Sequence, residues 1–194
     1  MSAITGPVRS ESCTARAPRD EPDPVVETVR SLLAHLEVPA REIQTVDVRT
    51  AAETFRRLTA GYGTDPRDVV GDALFDEAGG EAVVVRDIPF TSLCRHGLVP
   101  FGGRAHVAYL PGTAVVGLSK LARLVDLFAH RLQTPDRLAA DVANAVQTSL
   151  GAEGVGVRIE AGACGVDRGE TVVTQAFLGA FRLPLWRTRL VGLL

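Results

Sequence analysis

The spacing of apolar side chains divides the chain into a helical first part and a mixed second part. Val25, Val29, Leu32, Leu33 and Leu36 recur at helical intervals, which predicts a helix with one apolar stripe. Asp23 and Pro24 ahead of them supply an N-cap and a proline at the first helical position. Thr50 and Glu53 form a T-x-x-E capping pattern before Phe55 and Leu58, predicting a second helix. Asp65-Pro66 opens a third, expected to run through Leu74. Residues 23–78 are therefore expected to form an N-terminal helical region.

From Glu81 the pattern changes. EAVVVRDIPF and RAHVAYL read as strands, joined by CRHGLVPFGG with Gly102 and Gly103 as a turn. Two helices follow, one from about Leu118 to Arg131 and one from Thr134-Pro135 to Leu150. Gly151 stands where a helix C-terminus favours glycine. GVGVRIEA and TVVTQAFLGAF supply two further strands, and a short amphipathic tail closes the chain. The order ββααββ over residues 79–194 predicts an α+β architecture, an antiparallel sheet with both helices on one face. The edge of such a sheet needs cover, and joining the sheet of a neighbouring copy is one way to supply it.

A length of 194 residues suits one domain with a sizeable core. The formal net charge of −2 is nearly balanced and gives no electrostatic reason to expect nucleic acid or an anionic membrane as partner. No apolar run approaches the ~20 residues of a membrane span. Residues 1–22, rich in Ser, Pro, Arg and acids and without the apolar core of a signal peptide, are expected to be a disordered tail. Three cysteines, one of them in that tail, do not make a disulfide framework. A reducing, cytoplasmic location is the expectation. Of the 21 basic side chains only Lys120 is a lysine, a compact charge suited to phosphate oxygens that arginine does not copy.

Four blocks carry a resemblance: VVVRDIPFTSLCRHGLVPFGGRAHVAYLP, GLSKLARLVDLFAHRLQTPDRL, EAGACGVDRGE and TVVTQAFLGAF. Over about residues 66–190 they resemble the GTP cyclohydrolase I family. The resemblance implies the tunnelling fold (T-fold) and ring-shaped homo-oligomers, typically decamers, with sites between subunits. It also implies opening of the guanine imidazole ring by a zinc-activated water, giving dihydroneopterin triphosphate and formate. Typical members hold zinc with two cysteines and a histidine, leaving the fourth position to water. Cys94 and Cys164 match the two thiolates, but Gly97 stands where the ligating histidine belongs. Gly162 stands where a second histidine would assist proton transfer. His96 matches the proton donor near the purine.

Ser119, Lys120 and Arg123 match residues that hold the triphosphate, and Ser119 and Arg123 share a helix face. In the first turns of a helix they combine with free backbone N–H groups to suit an anion. Arg168 matches another triphosphate residue. Solvated surface charge is the ordinary reading of all four. In TAAETFRRL, Glu53 replaces an arginine of the family motif and Arg56 a lysine, so a less charged substrate becomes plausible. Asp136 occupies the place of a guanine-binding glutamate with one methylene fewer, and it is equally a first-turn acid complementing a helix dipole. His35, His106 and His130 are expected to serve packing or surface roles.

Three readings stay open. The first is a repurposed enzyme acting on a purine nucleotide, pterin or related heterocycle. There His96 would be acid or base, and Cys94 a thiol nucleophile or weak metal ligand. The second is a genuine GTP cyclohydrolase I with an altered zinc shell, since two of the three family ligands are present. The third is a non-catalytic paralogue that binds nucleotide or co-assembles with an active relative.

Overall fold

The computed structural model describes residues 22–71, 74–76, 81–112, 114–163 and 170–191, with backbone alone for 74–76 and 189–191. Nearly all of the expected tail lies outside these residues, as do Cys164 and Arg168. In chain order the elements are α1 (Pro24–His35), α2 (Ala40–Ile43), α3 (Val48–Leu58), a 3-10 turn (Ala60–Gly63), α4 (Pro66–Val70), β1 (Leu74–Asp76), β2 (Val83–Cys94), β3 (Pro100–Leu110), β4 (Ala114–Val116), α5 (Leu118–Ala129), β5 (Leu132–Gln133), α6 (Pro135–Leu150), β6 (Gly154–Gly162), β7 (Thr171–Gly179), a second 3-10 turn (Ala180–Arg182) and α7 (Pro184–Val191). They group into two compact units, residues 1–52 and 53–194.

In the first unit, Asp23 caps α1 as anticipated, its carboxylate accepting the Val25 N–H at 3.0 Å. The buried face differs from the expected stripe. Val26 and Val29 pack with Val48 and Ala52, whereas Leu32 and Leu36 are 53% and 63% exposed. The capping box is also corrected. Helix α3 starts at Val48 because Asp47 accepts the N–H groups of Arg49 and Thr50, each at 3.1 Å. The Thr50 hydroxyl donates to the other Asp47 oxygen. An aspartate is the stronger cap, so Thr50 becomes the third helical residue. Those bonds, led by the Thr50 hydroxyl, hold the Asp47 carboxyl below its ordinary pKa. Glu53 is left as an exposed helix residue.

The second unit carries the sheet, in the order β5-β2-β3-β6-β7. Neighbours are antiparallel except β5, which runs parallel to the end of β2. Helices α5 and α6 cover one face, as the ββααββ order predicts. Val107, Tyr109, Val155, Val157 and Ile159 meet Leu121, Leu124, Leu138, Val142 and Val146 in one core, all of them fully buried. Each such aliphatic side chain contributes about 1.5–3 kcal/mol. Gly103 is needed where β3 crosses β6, because a Cβ there would lie 2.0 Å from the Glu160 carbonyl oxygen. Helix α6 ends at Gly151 in the left-handed region, as anticipated.

Three features were not anticipated. Helix α4 stops at Val70 and is followed by β1, which pairs with β4, so the stretch up to residue 78 is not wholly helical. The two-residue β5 forms beside the end of β2. A bulge between Val85 and Ile88 turns Asp87 into positive φ. On the face of the sheet opposite α5 and α6, Phe181 and Trp186 cover Ala108, Val84 and Phe177 at one end. The closing tail is helical, but Leu185 is 65% exposed, so it is not the amphipathic segment expected.

Candidate active site

Cys94 is the last residue of β2 and only 2% exposed. It is a buried thiol rather than a half-cystine. The turn that follows is tightly closed: Cys94 N–H donates to the Val99 carbonyl at 2.9 Å, and the Leu98 N–H returns to the Cys94 carbonyl at 2.8 Å. Leu98 takes φ +54° to close it, a conformation that costs a non-glycine residue about 1–2 kcal/mol. Strain of this kind is retained where surrounding contacts over-determine the backbone. The loop is fastened from the side as well. Cys94 pairs in register with Gln133 of β5, and the Arg95 N–H donates to the Gln133 carbonyl at 3.0 Å.

Gln133 is the residue here that sequence reasoning missed. It is 1% exposed, and its side-chain amide donates to the Phe128 carbonyl and to Asp141. The bonded pair of Arg95 and Gln133 sets the 95–97 turn beside the start of α6. At the start of α6 the Asp136 carboxyl is held below its ordinary pKa chiefly by the Thr134 hydroxyl; the N–H groups of Asp136 and Arg137 add to this, and the charge of His96 adds least. Thr134 thus serves the acid rather than capping the helix backbone. Both His96 and Asp136 are exposed.

Gly97 lies in the exposed turn, and a Cβ built on it would meet only Val99 Cγ2, at 3.8 Å. At Gly162, the end of β6, a Cβ would meet nothing within 4 Å. Neither glycine has positive φ. The backbone therefore accepts side chains at both positions, and none of the described neighbouring groups has grown into either space. Among the described residues no three His, Cys, Asp or Glu side chains gather around a common point suited to a metal ion. Cys164 lies outside those residues, so the described donors on this side are Cys94 and the adjacent His96.

Ser119, Lys120 and Arg123 fall in the first two turns of α5. Gly117 is the N-cap and brings no side chain to the first N–H groups. Ser119 and Arg123 are exposed, while Lys120 is half-buried. The Lys120 ammonium donates to the Val69 carbonyl at the end of α4, at 3.0 Å. That bond ties α4 to α5 and leaves the ammonium two further donors.

The sequence profile of the family described as GTP cyclohydrolase I matches residues 25–190. GTP cyclohydrolase 1 of Gloeobacter violaceus is 41% identical over 179 residues, covering 89% of this chain and 84% of that one. GTP cyclohydrolase 1 of Campylobacter lari is 44% identical over 162 residues, covering 80% and 85%. The protein named GTP cyclohydrolase 1 2 of Pseudomonas putida is 47% identical over 152 residues, covering 75% and 82%. Among solved structures, the apo archaeosine synthase QueF-Like matches with a TM-score of 0.46 at 21% identity, covering 52% of this chain and 96% of that one.

Proposed function

Because the chain belongs to the GTP cyclohydrolase I family and has its α+β tunnelling fold, we propose that it is a repurposed member, an enzyme acting on a purine nucleotide, pterin or related heterocycle without a complete zinc site. One observation carries this reading. The turn around Cys94 is closed and buttressed by Gln133, yet position 97 offers no donor, and a side chain there would have room. Drift that wrecked the site would be expected to loosen the turn or fill the space. Loss of the side chains at 97 and 162 together removes a metal ligand and a proton-transfer group from one centre.

Two thiolates at Cys94 and Cys164, with no third protein ligand among the described residues, do not fit a catalytic zinc site, which holds three. No step is therefore assigned to a metal. His96 is the group available to donate or accept a proton, within the influence of the ionised Asp136. Asp136 keeps acceptor capacity beyond the Thr134 hydroxyl for a pair of ring N–H donors on a heterocycle. The Cys94 thiol is placed to act as a nucleophile only if a substrate reaches the end of β2. Ser119, Arg123 and the uncapped start of α5 suit a phosphate, with Lys120 and Arg168 completing the anion end. Glu53 opposes a full triphosphate, which favours a substrate of lower charge. Assembly of the sheets into a homo-oligomeric ring, in the cytoplasm, belongs to the same proposal.

A second reading is favoured by the 41–47% identity to proteins named GTP cyclohydrolase 1: the chain turns over GTP with a metal ligand recruited elsewhere. The two separate in one experiment. Purified protein with GTP and added zinc is assayed for formate, and in parallel titrated with GTP and pterins by fluorescence. The repurposed reading expects binding without formate. Formate release at ordinary enzymatic rates would overturn it, and absence of any binding would favour a non-catalytic partner.

A further inference from the structure

We propose that the face of the sheet opposite α5 and α6 carries a second site, for a small monovalent anion, between His106 of β3 and Arg158 of β6. The two are register partners on neighbouring strands, so their side chains stand together on the same face. His106 is 4% exposed. Its Nδ1 accepts the Asp87 N–H at 3.3 Å, at the bulge in β2. The ring hydrogen of the neutral imidazole is therefore on Nε2, and that buried atom has no partner. Arg158 donates through Nη2 to Glu160 at 2.6 Å, yet its Nε is also buried without a partner.

Two adjacent buried N–H groups of the same polarity are an expensive arrangement unless an acceptor joins them. Among the described residues, the carboxylates on this face are already engaged: Glu160 with Arg158, and Asp87 with Arg104 at 3.4 Å. With two cations and two anions present, the local charge is balanced. That balance favours a single weakly hydrated charge, such as a halide, over a di- or trianionic phosphate. The site is separate from the proposed active centre. Arg158 and Gly162 lie four positions apart on one strand, roughly 13 Å at ~3.3 Å per residue.

The test uses the full-length protein. Melting temperatures are compared in potassium chloride and potassium gluconate at equal ionic strength, with bromide-soaked crystals giving the anion's position by anomalous scattering. The site predicts a higher melting temperature in chloride and a bromide peak bridging His106 Nε2 and Arg158 Nε. Arg158→Leu should abolish both. Glu160→Gln, which removes the competing carboxylate, should shift the chloride dependence to several-fold lower concentration. Equal melting in both salts, a bromide peak that survives Arg158→Leu, or weaker chloride dependence in Glu160→Gln would overturn the proposal.

Discussion

Restoring a histidine at position 97 probes the metal argument from the opposite direction. The substitution Gly97→His places a Cβ in ordinary contact with Val99 Cγ2 at 3.8 Å, at a position without positive φ. The Cβ therefore clashes with no described neighbour, and replacing glycine should stabilise the fold by about 0.4–1 kcal/mol through the unfolded chain. A four-ligand zinc site is worth about 10–16 kcal/mol, so one ligand's share is about 3 kcal/mol, on the order of a hundredfold in Kd. Zinc affinity is read by competition with a chromophoric chelator on wild type, Gly97→His and the double variant with Gly162→His. Gly103→Ala serves as the steric control. Its Cβ would lie 2.0 Å from the Glu160 carbonyl oxygen, and a loss of about 3 kcal/mol or more is expected. Unchanged zinc affinity in a well-folded Gly97→His protein would refute the view that this position alone breaks the ligand set. Unfolding of that variant would refute the reading of free space.

Other outcomes follow from single contacts. Tyr109→Phe removes the fully buried hydroxyl that accepts the Val116 N–H at 3.1 Å, and chemical denaturation should show a loss of about 1–3 kcal/mol. Ser92→Ala breaks the buried bond from the Ser92 hydroxyl to the Ala129 carbonyl at 2.6 Å; a similar loss of about 1–3 kcal/mol is expected. Asp136 has a folded pKa below its ordinary 3.8. Its contribution to stability is present above that value and is lost as pH falls through the folded pKa. Thr134→Val removes the leading cause, so the Asp136 titration followed by carboxyl NMR should move up toward 3.8; an unmoved midpoint would contradict the hydrogen bond. Lys120→Met should weaken nucleotide binding at least tenfold and also loosen α4, because the ammonium holds the Val69 carbonyl. Weakened binding with α4 unchanged in hydrogen exchange would contradict that link.

The long strands and the α5–α6 pair were legible because their periodicity is set by burial on one face, which a single chain displays. Asp23 and Gly151 were legible because caps obey local chemistry. Thr50 was misread: two capping patterns overlap, and the aspartate at 47 decides between them by charge. Leu32 and Leu36 follow a helical period yet stay exposed, since period alone does not say which face finds a partner. In the candidate site, Cys94, His96 and Asp136 were named from motif matches. Gln133 was not, because a buried glutamine between helix and strand leaves no pattern of its own. The fastening of the turn after Cys94 through Arg95 and Gln133 depends on a two-residue parallel strand that no window of sequence reveals.

The measurement that bears most directly on an incomplete metal site is zinc per chain, by elemental analysis of wild-type protein purified without chelator and then incubated with excess zinc. Occupancy far below one is expected if the set proposed here, two thiolates without a third ligand, is the whole of it. A stoichiometry near one zinc per chain would contradict it and return hydrolytic ring opening of GTP to first place.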